Sequence, residues 1–169
     1  MQKTHTVYLL LGSNKGHRLK FLLLAQYLIQ QNAGEIITKS TIYKTAAWGK
    51  EHQPDYLNQV ICIKSKKTPL QLLRLLQKTE KKMGRTIKHN YAARTIDIDI
   101  LFYDNLVFDA KNLTIPHPKL HLRKFTLMPL YEIDKSYTHP ILQKSIDELL
   151  KICTDNLKVS IFDNKRNLI

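Results

Sequence analysis

Glycine and cysteine are both scarce in this sequence, and each scarcity excludes a class of site. Only five glycines occur among 169 residues, and the segment Gly12–Gly16 lacks the spacing of a Walker A phosphate loop. The two cysteines, Cys62 and Cys153, stand too far apart in the sequence to suggest a disulfide framework or a zinc motif. We therefore expect reduced thiols and a cytoplasmic location.

Long hydrophobic runs are missing as well. The longest N-terminal apolar run, Val7–Leu11, is too short for a signal peptide or a membrane span, so we expect no membrane partner. With 43% hydrophobic and 24% charged residues, the composition is that of an ordinary globular protein. The length predicts one domain, residues 1–169, with a buried core.

Acidic residues are outnumbered by basic ones, 14 to 27, which gives a formal net charge of +13. Such an excess is typical of proteins that bind nucleic acids or other anions, although lysines scattered over a solvated surface would give the same total. Arginine is more informative, since there are only six arginines and three of them, Arg85, Arg94 and Arg123, fall within about forty residues. The planar, permanently charged guanidinium suits phosphate oxygens.

Hydrophobic periodicity predicts the order strand, helix, strand, strand, helix, strand. The predicted strands are Val7–Leu11, 36–43, 57–64 and 95–103, and the helices run roughly over 19–31 and 68–84. A capping box with Pro69 at the first helical position begins the second helix. This order predicts an α+β fold, a ferredoxin-like split βαβ (βαββαβ) sheet with two helices on one face. A C-terminal extension follows from Asn105, with a helix near 145–152.

Two aspartates lie one residue apart in the last of these strands. Because side chains alternate between the faces of a strand, Asp97 and Asp99 project from one face about 7 Å apart. The opposite, apolar face is expected to lie in the core and carries Ile96, Ile98, Ile100 and Phe102. Neighbouring carboxylates repel each other unless positive charge lies between them. The pair is therefore either two solvated acids or a set of ligands for Mg²⁺, which prefers carboxylate, phosphate and water oxygens.

Cationic side chains near the acid pair could bind phosphates in place of a glycine loop. The candidates are Arg85, Lys88, Arg94, His117 and Arg123. The stretch 85–93 has a composition unfavourable to a helix and could be a mobile flap that carries cations inward. A zinc pair of His117 and His121 is not predicted, because Pro118 lies between them and no third ligand is near in the sequence.

Two further groups of residues have both a structural and a functional interpretation. Gln77 and Glu80 lie beside the apolar stripe of the second helix, where they are either boundary residues or ligands. Four residues could form a slot for a flat heterocycle or be ordinary core and loop members: Trp48, Tyr56, Asn58 and Phe125.

Together these segments resemble the 6-hydroxymethyl-7,8-dihydropterin pyrophosphokinase family of folate biosynthesis, over roughly residues 6–150. The landmarks are Leu11-Gly12-Ser13-Asn14, Tyr43-Lys44-Thr45, Gln53-Pro54-Asp55-Tyr56-Leu57-Asn58, Glu80 with Gly84-Arg85, Arg94-Thr95-Ile96-Asp97-Ile98-Asp99-Ile100, and Ile115-Pro116-His117 with Arg123 and Phe125. The run around the two aspartates and the run 53–58 are the most specific of them.

The resemblance implies a reaction and a role for each matching residue. Pyrophosphate would pass from ATP, bound with two Mg²⁺ ions, to the pterin hydroxyl, leaving AMP. Asp97 and Asp99 would bind the metal, and both would be catalytic together with Arg85 and Arg94. The implied pterin-binding residues are Thr45, Ala46, Trp48, Tyr56, Asn58, Asp97 and Phe125. The implied ATP-binding residues are Gln77, Glu80, Arg85, Lys88, Arg94, Ile100, Thr114, His117 and Arg123.

Three other functions stay open on the residues alone. A basic ferredoxin-like nucleic-acid-binding module would fit the net charge, but aspartates on the open face of its sheet would repel phosphates. A Mg²⁺-dependent nuclease or another phosphoryl transferase could use the same acids, without a reason for the aromatic slot. A catalytically idle relative would bind nucleotide only, and Tyr91-Ala92-Ala93 differs from the Trp-Gly-Pro usual in the family's catalytic loop. We expect small-molecule substrates, no nucleic acid and a monomer.

Overall fold

The computed structural model describes residues 3–46, 53–84 and 93–163, and these residues form a mixed α/β fold. Eight strands and four α-helices lie in the described ranges. In chain order they are β1 (His5–Ser13), α1 (Arg18–Asn32), β2 (Glu35–Lys39), β3 (Tyr43–Thr45), β4 (Tyr56–Ser65), α2 (Pro69–Lys82), β5 (Asp97–Tyr103), β6 (Phe108–Ala110), β7 (Leu113–Ile115), α3 (Lys124–Asp134), α4 (Ile146–Ile152) and β8 (Val159–Ile161). None of these helices combines the length and apolar character needed to cross a membrane.

Six strands form one antiparallel sheet with the order β5-β1-β4-β3-β8, and β2 also pairs with β4. The ten-residue strand β4 is long enough to pair with both β2 and β3, one after the other along its length. The short strands β6 and β7 form a separate antiparallel hairpin. The central position of β1 places its end, Gly12 and Ser13, between β4 and β5.

The prediction of one continuous strand at 36–43 is wrong, because two strands, β2 and β3, occupy this stretch. The pairing with β4 shifts its register between Ile36 and Thr38. The hydroxyl of Ser40 then accepts a hydrogen bond from the backbone N–H of Val60 (3.1 Å). The Ser40 side chain thus takes the place of a backbone acceptor and interrupts the strand. Serine side chains often compete with the backbone for such hydrogen bonds.

Both faces of the sheet are covered, which explains the continuous apolar run of β1. On one face, α1 and α2 pack on a core that includes Val7, Leu9, Leu11, Leu22, Ile29, Leu72 and Leu76. On the other face, α3 and α4 enclose a second core with Tyr8, Leu10, Val60, Leu127, Leu130 and Leu149. Both cores contain residues of the strands that carry the predicted site. The backbone of these strands is therefore held by packing on both faces of the sheet.

The sequence pattern does not predict α3, because Pro129 lies inside it and proline removes a helical hydrogen bond. Leu127 and Leu130 on either side of this proline are almost fully buried in the second core. Their burial outweighs the missing hydrogen bond. The helix predicted near 145–152 is confirmed by α4, and Ser145 caps it through a hydrogen bond from the backbone N–H of Glu148 (3.2 Å).

The alternation of side chains between the two faces of the sheet is interrupted near the end of β5. Tyr8 pairs with Phe102 while Leu9 pairs with Ile100, so β5 has an extra residue at this bulge. A bulge reverses the side to which the following side chain points. Phe102 therefore packs in the second core, with its ring 4.4 Å from that of Tyr137, and its predicted place on the isoleucine face is wrong.

Candidate active site

The two aspartates lie on the face of β5 opposite its buried isoleucines. Ile96, Ile98 and Ile100 belong to the core under α1 and α2. Asp97 stands opposite Gly12 of β1, and Asp99 stands opposite Leu10. Their side chains are 24% and 36% exposed, respectively, so both carboxylates are partly screened from solvent yet accessible to a ligand.

Arg94 lies just before β5 and contacts the first aspartate. Its Nη1 donates a hydrogen bond to Asp97 Oδ2 at 2.6 Å. Burial alone would lower the pKa of the guanidinium, but the charge of Asp97 and the hydrogen bond to it raise that pKa above its ordinary value. This arginine supplies the positive charge that the pattern of neighbouring carboxylates requires.

Asn14, which the sequence did not single out as a site residue, fixes the backbone of Arg94. Asn14 is fully buried. Its Oδ1 accepts a hydrogen bond from Arg94 N (2.8 Å), and its own N–H donates to the Arg94 carbonyl (3.1 Å). Its Nδ2 donates to Gln53 Oε1 (3.3 Å). A buried polar residue directly after an apolar strand was the available signal, because such a group needs partners.

His117 approaches the second aspartate, with Nε2 at 4.0 Å from Asp99 Oδ2. Burial, and then the charge of Arg123, lower the pKa of His117 to about 4. The ring is therefore neutral at neutral pH, and the separation is too long for a hydrogen bond. Nδ1 accepts a hydrogen bond from Lys119 N (3.1 Å), which leaves the proton on Nε2, the nitrogen that faces the acids.

Strands β3 and β4 carry a polar pair beside Gly12. Asn58 Nδ2 donates a hydrogen bond to Thr45 Oγ1 (3.3 Å), and both residues are almost fully buried. Asn58, Gly12 and Asp97 are neighbours across three adjacent strands. A Cβ on Gly12 would lie 2.9 Å from Asn58 Oδ1 and 3.7 Å from Tyr56 Cδ1. The missing side chain therefore leaves space beside the Asn58 amide, and a glycine inside a buried strand is the signal that could have identified it.

Arg123 and Phe125 flank the first residue of α3. The guanidinium carbon of Arg123 lies 5.7 Å from the centroid of the Phe125 ring, a separation compatible with a cation–π contact. Phe125 is partly buried against the second core. The charge of Arg123 also lowers the pKa of His117, so this end of α3 lies within electrostatic reach of that histidine.

The residues predicted to bind nucleotide occupy different environments. Glu80 is buried, and its Oε1 accepts a hydrogen bond from Ile98 N (2.7 Å), which connects α2 to β5. Ile100 is buried in the core under α1 and α2. Gln77, Thr114 and Ala46 are exposed, and Thr114 Oγ1 donates to Asp109 Oδ1 (2.9 Å). Trp48, Arg85, Lys88 and the stretch 85–92 of the predicted flap lie outside the described residues.

Comparison with protein families matches residues 8–135 to "7,8-dihydro-6-hydroxymethylpterin-pyrophosphokinase (HPPK)". The chain belongs to the HPPK family. The HPPK match contains every residue discussed above as part of the site, and it ends at the last turn of α3. The nucleic-acid-binding alternative is not favoured by this family membership.

Curated relatives agree with the HPPK assignment. A 2-amino-4-hydroxy-6-hydroxymethyldihydropteridine pyrophosphokinase of Aquifex aeolicus is 42% identical over 143 residues, which cover 85% of this chain and 89% of the relative. The protein of the same name from Haemophilus influenzae is 37% identical over 157 residues, which cover 92% of this chain and 98% of the relative.

Solved structures share the fold. A structure described as HPPK-DHPS in complex with substrates aligns with 88% of this chain at a TM-score of 0.72 and 16% identity. The wild-type HPPK-DHPS of Plasmodium falciparum aligns with 89% of it at a TM-score of 0.71 and 19% identity. The aligned region spans 43% and 42% of those solved chains, so less than half of each corresponds to this chain.

The acid pair of this HPPK chain fits a magnesium ion. Mg²⁺ is usually held by one or two carboxylates and completes its shell with water and substrate phosphates. Asp97 and Asp99 offer two accessible carboxylates on one face of β5. Among the residues the structure describes, no three His, Cys, Asp or Glu side chains cluster as a metal site, and a magnesium site that borrows phosphate ligands does not need a third.

Proposed function

We propose that this chain transfers a pyrophosphoryl group from ATP to 6-hydroxymethyl-7,8-dihydropterin in folate biosynthesis. The hydroxyl oxygen of the pterin gives up its proton to water and forms a bond to the β-phosphorus of ATP, while the bond from that phosphorus to the α–β bridging oxygen breaks and AMP leaves with that oxygen. The observation that carries the proposal is the acid pair of Asp97 and Asp99, flanked by Arg94 and His117, on the strand next to Gly12. Membership of the HPPK family supports it.

The pterin end of the proposed site is the part next to Gly12. A pterin is a flat ring with amide-like edges, so it needs hydrogen-bonding groups in its plane and apolar or aromatic groups above and below. Asn58 and Thr45 supply an amide and a hydroxyl in a buried setting, while Tyr56 and Phe125 supply aromatic rings. Trp48 and Ala46 are proposed to complete this end.

The phosphate end lies around the acid pair. Asp97 and Asp99 would hold Mg²⁺, two ions in our proposal, and bound metal would supply positive charge for the phosphate oxygens. Arg94 is held by Asn14 in a position where its guanidinium meets Asp97. Neutral His117 presents an N–H donor toward the same face, and Arg123 adds a permanent charge. These donors would position the triphosphate so that attack occurs at the β-phosphorus.

A further group of residues is assigned to the nucleotide. We propose that Gln77, Glu80, Ile100 and Thr114 line the ATP site, and that Arg85 and Lys88 add charge around the triphosphate. Glu80 would act partly through β5, whose backbone it holds at Ile98.

We also propose a ferredoxin-like arrangement and a single domain over residues 1–169 that acts as a monomer. The order β5-β1-β4, with β2 and β3 sharing the next position, supports the ferredoxin-like assignment, because it corresponds to a βαββαβ sheet whose second strand is split. The packing of α1 and α2 on one face agrees with it.

Analysis of the nucleotide product tests the proposed reaction. The protein is incubated with ATP, Mg²⁺ and the pterin, alongside Asp97→Asn and the control Asp147→Asn, which removes a carboxylate that pairs with Lys151 on α4. We expect AMP to appear only when the pterin is present, with Asp97→Asn inactive and Asp147→Asn unaffected. Formation of ADP, or turnover that survives in Asp97→Asn, would contradict the proposal.

A further inference from the structure

The segment 154–163 follows α4 and lies outside residues 8–135, the stretch matched in the comparison with protein families. It first passes the start of α3, where Asp155 contacts Lys124. It then forms β8, which pairs with β3. The segment therefore contacts two elements that carry residues of the proposed pterin site, Phe125 on α3 and Thr45 on β3.

Asp155 caps α3 from outside the helix. The residue at the N-cap position, Arg123, makes no side-chain capping hydrogen bond. Instead, Asp155 Oδ2 accepts a hydrogen bond from Lys124 N (2.9 Å), although the two residues are 31 positions apart. Asp155 Oδ1 accepts from Leu157 N (3.0 Å). A carboxylate at this place satisfies a free backbone N–H and suits the positive end of the helix dipole, and it fixes the backbone between Arg123 and Phe125.

Strand β8 holds β3 from the side opposite β4. Thr45 lies opposite Val159, Lys44 opposite Ser160 and Tyr43 opposite Ile161. The pairing continues with a hydrogen bond from Phe162 N to the carbonyl of Ile42 (2.8 Å), and the Phe162 side chain packs on the core under α1 and α2. Because β3 has only three residues, pairing on one edge alone would leave it weakly fixed.

We propose that the segment 154–163 is a positioning element for the pterin site, with Asp155 and β8 together fixing the distance between Phe125 and Thr45. The inference rests on the proposed assignment of these residues to the pterin. The segment itself touches no reacting atom. It acts through α3 and β3, so its loss raises KM for the pterin rather than abolishing turnover.

Strand β8 is tested with a matched pair of variants at Ser160, which is exposed and lies in the middle of the pairing. Ser160→Pro removes a backbone N–H and restricts φ, whereas Ser160→Ala leaves the backbone able to pair. We expect Ser160→Pro to raise KM for the pterin about tenfold, the cost of a hydrogen bond or two, with little change in KM for ATP. Ser160→Ala should behave as the unchanged protein, and equal KM values for the two folded variants would overturn the role of β8.

Asp155 provides a second test that does not depend on whether Ser160→Pro folds. Since Arg123 and Phe125 lie on either side of Lys124, whose backbone N–H donates a hydrogen bond to Asp155, we expect Asp155→Ala to raise KM for ATP and for the pterin about fivefold each. Asp155→Asn keeps one acceptor oxygen and should give intermediate values, while Asp147→Asn, a carboxylate change on α4, should change neither. A lower melting temperature with both KM values unchanged would mean a structural role only and would overturn the inference.

The two tests separate this inference from the proposed function. If the unchanged protein forms no AMP from ATP and the pterin, both the proposed function and this inference are wrong. If it forms AMP normally while folded Ser160→Pro and Asp155→Ala keep unchanged KM values, only the inference fails.

Discussion

At the scale of single residues, Arg94 has two distinct connections around the acid pair. Its guanidinium contacts Asp97 Oδ2 at 2.6 Å, and its backbone exchanges hydrogen bonds with buried Asn14. The planar guanidinium has five N–H donors, so it can keep a carboxylate contact and still donate to a phosphate. The position of this side chain is therefore set before any substrate binds.

We expect Arg94→Ala to lower kcat/KM about a hundredfold or more, because a fixed positive donor at the transferring phosphate is lost. Arg94→Lys keeps the charge but not the planar set of N–H donors, and should recover only part of the activity. The rate of AMP formation measures both variants. Activity of Arg94→Ala close to that of the unchanged protein would remove Arg94 from the site.

The role of Gly12 follows from the short distance between a Cβ at this position and Asn58. We expect Gly12→Ala to raise KM for the pterin about tenfold, because the new methyl group would lie 2.9 Å from Asn58 Oδ1 and overpacking of this kind costs about 1–3 kcal/mol. KM for ATP should change little. Steady-state kinetics with each substrate varied in turn gives both values, and an unchanged pterin KM would place the pterin away from Gly12.

The acid pair could be predicted from the sequence, because carboxylates at alternate positions of an apolar strand are conspicuous. The contacts that support it could not. Which backbone Asn14 binds depends on where the chain enters β5, and the space at Gly12 depends on the pairing of β4 with β1. Such relations are between strands far apart in the sequence, and local periodicity contains no information on them.

At the scale of elements, α3 is connected to the strand that carries Thr45. Glu132 Oε1 accepts a hydrogen bond from Thr41 N (2.8 Å), and its Oε2 accepts from Thr41 Oγ1 (2.8 Å) and Tyr43 OH (2.7 Å). Burial, more than the hydrogen bond to Glu132, raises the pKa of the Tyr43 hydroxyl. One carboxylate thus connects the far end of α3 to the beginning of β3.

We expect Glu132→Ala to lower the free energy of unfolding by about 1–2 kcal/mol, because it leaves the hydroxyl of buried Tyr43 without its acceptor. Glu132→Gln keeps an acceptor and should cost less. Urea unfolding measures both, with Glu35→Ala, an exposed glutamate change on β2, as the control. A loss no larger than that of the control would mean that water replaces Glu132 without cost.

The longest helices and strands, α1, α2, β1, β4 and β5, were predicted, whereas features governed by tertiary packing were not. The capping box of α2 is confirmed, since Thr68 and Gln71 satisfy each other's backbone N–H. The break at Ser40, the bulge that turns Phe102 and the helix that contains Pro129 all go against the local pattern. Each is stabilised by partners distant in the sequence, as propensity rules allow when burial is large.

At the scale of the whole molecule, the fold places the buried side chain of His139 next to that of His121. His139 is 4% exposed, its Nδ1 accepts hydrogen bonds from Ile141 N and Leu142 N, and its ring lies 6.2 Å from that of His121. Burial, and then His121, lower the pKa of His139 to about 4 from 6.5. The native state therefore favours a neutral ring.

The unfolded chain binds more protons than the native state between about pH 6.5 and about pH 4, so stability should fall as the pH drops through this window. We expect His139 to account for about 2–3 kcal/mol of that loss. His139→Asn keeps a side-chain acceptor but cannot titrate, so its free energy of unfolding should depend less on pH. Urea unfolding at both ends of the window compares the two proteins, and identical pH dependence would exclude His139 as the cause.

The position of attack on ATP is the sharpest test of pyrophosphoryl transfer by this chain. The protein is given pterin, Mg²⁺ and ATP that carries a heavy oxygen isotope in the bridge between the α- and β-phosphorus. Attack at the β-phosphorus breaks the bond from that phosphorus to the bridge, so we expect every AMP formed to keep the label and one pterin diphosphate to appear for each AMP. ADP as the product, or AMP that has lost the label, would contradict the proposed pyrophosphoryl transfer.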